Sequence, residues 1–178
     1  MIDALRGFLD LLAGAKVEPA TSLALAADIE RWSADLAAHQ VPERDQIFAH
    51  RLDLAGRGQT MAPALHVVEG DERSVVGTVT FGRYFLGGNG AAHGGTLPLL
   101  FDELLGRLAN TGERPPARTA YLHVNYRSIT PIGVELQATA RFESESGRKR
   151  VLRGELRNGD ILCADAEGLF VELLPGQP

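Results

Sequence analysis

The pattern of hydrophobic and polar positions divides the chain into a helical first third and a strand-rich remainder. Apolar residues recur at helical spacing over residues 3–13 and 20–40, which predicts two amphipathic helices. The periodicity then fails over residues 41–62, where glycine and proline indicate a loop or an extended linker. We therefore predict a helical arm and linker over residues 1–62 and a second domain over residues 63–178.

Alternation of apolar and polar positions predicts six strands in this second domain. Their predicted bounds are 65–69, 74–81, 117–129, 134–142, 148–156 and 161–174. The Asn158-Gly159 pair is a strong signal for a two-residue hairpin turn between the last two strands. Two strands, one helix and four further strands predict an α+β domain with a mostly antiparallel sheet.

The helix between the strands, residues 96–110, is the most clearly delimited element of the sequence. Gly95 or Thr96 can cap its start, and Pro98 fits the first turn, where its missing N–H needs no partner. Gly112 follows its end. One broad face of this helix is apolar, so we expect it to be largely buried.

Asp102 belongs to neither the apolar face nor the polar stripe of this helix. A carboxylate among small and apolar residues is costly to bury unless it is used or paired. Its neighbour Glu103 is the competing candidate, but Arg107 lies one turn later and offers it an ion pair. Two interpretations of Asp102 stay open, a catalytic group and a structural carboxylate paired with an amide or an arginine.

A loop with five glycines, residues 87–95, leads into this helix. Successive glycines let backbone N–H groups approach a ligand closely, and the helix start adds partial positive charge. Such a loop suits a phosphate or the oxyanion formed in acyl transfer. A tight strand-to-helix turn is the alternative, but it would need only two or three glycines, so we favour a functional loop.

Composition and charge argue against several function classes. The 178-residue chain has a formal net charge of −5, which argues against nucleic-acid binding and against anionic membranes. No apolar run approaches the ~18 residues that span a bilayer, and no secretory signal is present, so we expect a cytoplasmic protein. The single Cys163 excludes an internal disulfide, and the five histidines are too scattered for a zinc site.

Two motifs resemble those of PaaI-like acyl-CoA thioesterases, which have the hotdog fold. The first is His93-Gly94-Gly95, six further residues and Asp102, and the second is the strand over residues 118–128. The resemblance covers roughly residues 63–174. It implies one long central helix wrapped by a curved, mostly antiparallel sheet, here with an N-terminal helical extension. It also implies a homodimer or a dimer of dimers.

The resemblance implies roles for five residues around a thioester. Asp102 would attack the thioester carbonyl, or would activate a water to do so. The amide of Gly94 would bind the carbonyl oxygen, and His93 would orient the site. Thr119 would hold the attacking water, although a β-branched residue also suits a strand for its propensity alone. Asn89 is the nearest match to an Asn or Gln that the family carries in this loop.

The substrate implied by the resemblance is an acyl-CoA, hydrolysed to a free acid and CoA with no further cofactor and no metal. Candidates for binding the CoA portion are Gly95, Arg127, Arg148, Lys149 and Arg150. Arginine forks suit phosphate oxygens, but a basic hairpin can equally be a solvated one.

The acyl channel would be shaped by Leu99, Leu105, Gly106 and Ala109. Two other functions are compatible with the sequence. One is a non-catalytic protein that binds an acyl-CoA or another apolar ligand. The other is a hotdog hydratase or dehydratase, which we disfavour because the His-Phe-Pro-like loop typical of dehydratases is absent.

Overall fold

The structure is a computed structural model that describes residues 1–177. Its helices are α1 (Ile2–Ala13), α2 (Pro19–Ala37) and α3 (Thr96–Ala109). Its strands are β1 (His66–Gly70), β2 (Ser74–Thr80), β3 (Leu86–Gly88), β4 (Ala91–Ala92), β5 (Ala117–Tyr126), β6 (Glu135–Ser146), β7 (Lys149–Asn158) and β8 (Ile161–Glu172). The predicted α+β class is confirmed, with the three helices and the six long strands close to their expected bounds.

The six long strands form one sheet in the order β1-β2-β6-β7-β8-β5, and every neighbouring pair is antiparallel. The order places β5, the strand that follows α3, at one edge of the sheet beside the last strand. Asn158 pairs with Ile161, so the turn between β7 and β8 consists of Gly159 and Asp160, one residue later than the sequence signal indicated.

α3 packs along the curved sheet and supplies much of the hydrophobic core. Leu100, Phe101 and Leu104 are fully buried against apolar residues of β6, β7 and β8. Gly154 of β7 allows this contact, because a Cβ there would lie 3.0 Å from the Phe101 ring. The predicted central helix wrapped by a curved sheet is therefore confirmed.

The other side of α3 is covered by the linker. The Glu103 side chain is only 3% exposed, and its carboxylate lies 2.7 Å from Arg57 Nε and 2.6 Å from Arg107 Nε. The ion pair with Arg107 was expected, on a polar stripe of the helix. Arg57 lies in the short turn Ala55–Gly58 and brings the linker over the helix. The division of the chain at residue 62 stays a prediction.

The N-terminal arm is peripheral. No residue of α1 or α2 is buried. α1 packs beside the short turn Arg83–Phe85, which follows β2. In the described part of the chain, no helix has the length and hydrophobicity needed to cross a membrane.

We expect Glu103→Gln to lower the free energy of unfolding by about 3 kcal/mol, because two arginines would then face each other without a counter-charge. This is the low end of the range for breaking a buried pair, since Arg57 and Arg107 are partly exposed. Urea unfolding measures the change. Glu30→Gln, on the exposed surface of α2, is the matched control, and equal effects of the two substitutions would contradict a stabilising role of the two ion pairs.

Candidate active site

The glycine-rich loop contains a small β-hairpin that the sequence analysis missed. β3 and β4 pair through Gly88 and Ala91, so Asn89 and Gly90 are the two central turn residues. Both have positive φ, 49° and 75°, as a type I′ turn requires. Asn89 is exposed, and its side chain makes no hydrogen bond within residues 1–177. Its position is that of a turn residue at the hairpin tip, and its catalytic role stays a prediction.

His93 is held by three hydrogen bonds between the hairpin and the start of α3. Its amide donates to the Phe85 carbonyl at 2.7 Å, and its carbonyl accepts from the Thr96 amide at 2.9 Å. The ring Nδ1 accepts from the Gly95 amide at 3.0 Å. Because Nδ1 acts as an acceptor, the neutral ring carries its proton on Nε2, which can donate to a ligand.

The Gly94 amide is oriented by the same contacts. The carbonyl of the His93–Gly94 peptide points towards the start of α3, so the N–H of this trans peptide points the opposite way. That N–H has no acceptor within the described residues. The Gly94 carbonyl is fixed separately, because it accepts from the Tyr126 hydroxyl at 2.8 Å. The loop therefore presents one free amide beside a helix N-terminus.

Asp102 lies on the same side of α3 as Gly95, two turns further along the helix. Seven residues separate it from Gly95, which corresponds to about 10 Å along the axis and nearly two full turns. The Thr119 hydroxyl donates to Asp102 Oδ1 at 2.8 Å. No cation pairs with this carboxylate in residues 1–177. The contact expected of a structural carboxylate, an arginine or a backbone amide, is thus not the one that the structure shows.

Thr119 reaches Asp102 because β5 contains a bulge. Simple alternation would place Thr119 on the same face as Tyr121 and His123, away from α3. The register with β8 shifts between Thr119 and Tyr121, so that Thr119 pairs with Phe170, a core residue. A bulge re-aims the side chains on one side of it. Here it turns Thr119 towards the helix within the same chain.

A groove of about 430 Å³ opens in front of α3. The start of α3 and the loop before it line the groove through His93, Gly95, Thr96 and Leu99, and residues 60–61 and 84–86 complete the lining. The groove ends at Leu99, one helical turn before Asp102, which is itself exposed in a single chain. The four residues that we expected to shape the acyl channel do not lie together.

Leu99 is the member of that set that lines the groove. Leu105 and Ala109 are fully buried in the core of the domain. Gly106 faces the Phe170 ring, from which a Cβ on it would lie 3.6 Å. The sequence analysis did not identify residues 60–61 or residues 84–86 as groove residues. Residues 60–61 belong to the linker, which lies outside the family resemblance.

The basic candidates lie at different ends of α3. Arg150 is 3% exposed and donates to the carbonyls of Ala109 and Pro115 at 2.8 and 2.9 Å, so its guanidinium is engaged by the fold. These contacts place it at the C-terminal end of α3, about 20 Å along the axis from Gly95. The exposed Arg148 and Lys149 lie in the same hairpin.

Arg127 is the cationic candidate on the side of the loop. It follows Tyr126, which contacts Gly94, and its guanidinium forms an ion pair with Asp165. The pairing lowers the pKa of Asp165 below its ordinary value and raises that of Arg127. In the described residues, no group of His, Cys, Asp and Glu is arranged to hold a metal ion.

Comparisons with known proteins support the same fold. Residues 89–164 match the family model of the thioesterase superfamily. A crystal structure of a thioesterase superfamily protein is 28% identical and superposes with a TM-score of 0.81, covering 96% of this chain and 92% of that chain. Such coverage includes most of the N-terminal arm. No curated protein matches the sequence significantly.

Two further structures resemble a smaller part of the chain. The PaaI protein of the Escherichia coli phenylacetic acid degradation operon is 23% identical, with a TM-score of 0.57 over 61% of this chain and 82% of that one. A Streptococcus mutans protein bound to acetyl CoA is 22% identical, with a TM-score of 0.56 over 60% and 86%. The predicted resemblance to PaaI-like thioesterases and the predicted hotdog fold are therefore confirmed.

Proposed function

We propose that the protein is an acyl-CoA thioesterase that hydrolyses its substrate to a free acid and CoA. One observation carries the proposal. The Gly94 amide at the start of α3 has no acceptor in the described residues, and two turns on the Asp102 carboxylate has no cationic partner and accepts from the Thr119 hydroxyl. The first group can bind a carbonyl oxygen, and the second can deliver the attack on the carbonyl carbon.

The thioester oxygen would accept from the Gly94 amide, whose effect the positive end of α3 reinforces. The His93 Nε2–H is a second donor on the same loop. Negative charge then develops on an oxygen whose donors are already oriented, which is the usual basis of oxyanion stabilisation. A Cβ at Gly94 would lie 3.6 Å from the Tyr126 ring, so that hydroxyl and ring together fix the donor peptide.

Asp102 would act in one of two ways. As a general base, it takes a proton from a water whose oxygen bonds to the carbonyl carbon, and the C–S bond breaks as the thiolate leaves and is protonated. As a nucleophile, its own oxygen forms an anhydride with the acyl group, which water then hydrolyses. Both routes need an ionised carboxylate. Both give the same acid and CoA.

We infer that the working unit is a homodimer or a dimer of dimers. β5 is an edge strand of ten residues, and much of it, including Arg118–Ala120, is exposed. An exposed edge offers unpaired N–H and C=O groups to a second chain. Pairing of β5 with a second β5 would cover the surface next to Thr119 and Asp102, and thereby shield the site from bulk water.

Loss of the carboxylate charge should abolish turnover but not binding. We expect Asp102→Asn to lower kcat by about 10²–10⁴-fold, because the amide can neither attack nor accept a proton. A thiol-release assay over a panel of acyl-CoAs measures this. Asp35→Asn, exposed on α2, is the control. If the wild-type protein binds CoA esters without releasing thiol, the protein is a non-catalytic binder instead.

The dimer proposal predicts a mass of twice or four times 19.1 kDa in sedimentation equilibrium. Ala120→Lys should convert the assembly to monomers, since a lysine on an edge strand opposes pairing. Val68→Lys is a matched control, because Val68 is also an exposed bulge residue, but on β1 at the opposite edge. A monomeric wild-type protein at high concentration would contradict the proposal.

Arg127 is proposed to bind a CoA phosphate while it stays paired with Asp165. We expect Arg127→Gln to raise KM for an acyl-CoA about tenfold, in line with the loss of one charge-assisted hydrogen bond. KM for the corresponding acyl-N-acetylcysteamine, which has no phosphates, should not change. Arg44→Gln on the exposed linker is the control. An equal rise for both thioesters would show that Arg127 supports the fold rather than the phosphate.

A further inference from the structure

We propose that the N-terminal arm determines which acyl groups the site accepts. α1 holds two segments that line the groove together with His93, and we call these segments, residues 60–61 and 84–86, the outer wall. The proposal rests on the function proposed above and assigns to the arm the selectivity of that same site. Its basis is a pair of contacts made by Arg6 and Asp10 of α1.

Arg6 ties the linker to α1. Its guanidinium Nη2 donates to the carbonyl of Ala55 at 3.0 Å and to that of Gln59, which immediately precedes the outer wall. The Arg6 side chain is only 20% exposed, so these bonds are shielded from water. Arg57, between the two carbonyls, pairs with Glu103 of α3. The linker is thus fixed both to α1 and to α3 just before residues 60–61, where the linker enters the groove.

Asp10 ties the second segment of the outer wall to the same helix. Its Oδ1 accepts from the Tyr84 amide at 2.9 Å. The carboxylate lies so close to Gly82 that a Cβ on that residue would come within 2.1 Å of Oδ2. Gly82 therefore leaves the space that Asp10 occupies. Arg6 and Asp10 are four residues apart and share one face of α1, so one helix positions both parts of the wall.

The chemistry of the groove suits an acyl chain rather than the CoA phosphates. The outer wall consists of Thr60, Met61, Tyr84, Phe85 and Leu86, with no charged side chain among them. Tyr84 and Phe85 pack edge to face with their ring centroids 5.2 Å apart, which makes a firm apolar surface. We expect a longer acyl group to contact more of this wall than an acetyl group does. The substrate class is therefore an apolar acyl or arylacyl thioester longer than acetyl.

Met61 adapts the wall to its ligand. The residue is 61% exposed at the groove, and methionine is flexible and polarizable enough to pack against acyl chains of different shape. Met61 contributes directly to the wall, whereas Arg6 and Asp10 are positioning residues that act through it. The two kinds of residue should therefore change the same property of the enzyme.

The test compares kcat/KM for acetyl-, hexanoyl- and decanoyl-CoA in Met61→Ala and Asp10→Ala. We expect KM for the two longer substrates to rise about tenfold, the loss of roughly two methylene contacts, with kcat changed less than twofold. The ratio of kcat/KM for decanoyl-CoA to kcat/KM for acetyl-CoA should therefore fall in both variants. Asp35→Ala, exposed on α2, is the control for Asp10. A general loss of folding would instead reduce the rate for all three substrates together.

Gly82→Ala supplies a second, independent variant. Its new methyl group should displace the Asp10 carboxylate and reproduce the Asp10→Ala selectivity, and the double variant should be no worse than either single one. If the effects of Gly82→Ala and Asp10→Ala were additive in the double variant, the two residues would act independently, which would contradict the contact between them.

The outcomes separate this inference from the proposed function. If the wild type hydrolyses acyl-CoA but all variants keep its chain-length profile, the role of the arm is overturned and the thioesterase stands. If the wild type shows no turnover, calorimetric binding of hexanoyl- and decanoyl-CoA to the same variants still tests the wall. Equal affinities in wild type and variants would then overturn it.

Discussion

The hydrogen bond from the Thr96 amide to the His93 carbonyl is the contact on which the candidate site depends. It marks the start of α3, and it turns the His93–Gly94 peptide so that the N–H points away from the helix. Without a rigid α3 this peptide could rotate, and the loop would present a carbonyl in place of a donor. The packing of α3 on the sheet and the ion pairs of Glu103 with Arg57 and Arg107 therefore support the proposed chemistry as well as the stability of the fold.

β5 connects the loop, the acid and the proposed subunit interface. Tyr126 at one end of the strand holds the Gly94 carbonyl, and Thr119 near the other end holds Asp102. The two contacts lie on one strand because a bulge changes the direction of Thr119 between them. The same strand is the open edge of the sheet, so a second copy that paired there would lie against both halves of the site.

The sequence predicted the elements of the domain because periodicity and turn residues report local structure. It also predicted the separation of the His93 loop from Asp102, which follows from helix geometry. It could not predict the bulge at Ala120, because the alternation of polar and apolar residues does not determine how β5 pairs with β8. It also missed that the hairpin signal applies at Asn89-Gly90. Burial of Arg150 depends on carbonyls at the end of α3, about 40 residues away along the chain, which no local pattern shows.

Asp102 and Glu103 show how one helix gives two adjacent carboxylates opposite roles. A step of about 100° around α3 separates them. It takes Glu103 under the linker, where two arginines neutralise it, and leaves Asp102 on the open side with a hydroxyl as its partner. The Glu103 carboxylate accepts a hydrogen bond from Arg107 and forms an ion pair with Arg57. The arginines that surround α3 therefore stabilise the helix through Glu103 and leave the oxygens of Asp102 free to react.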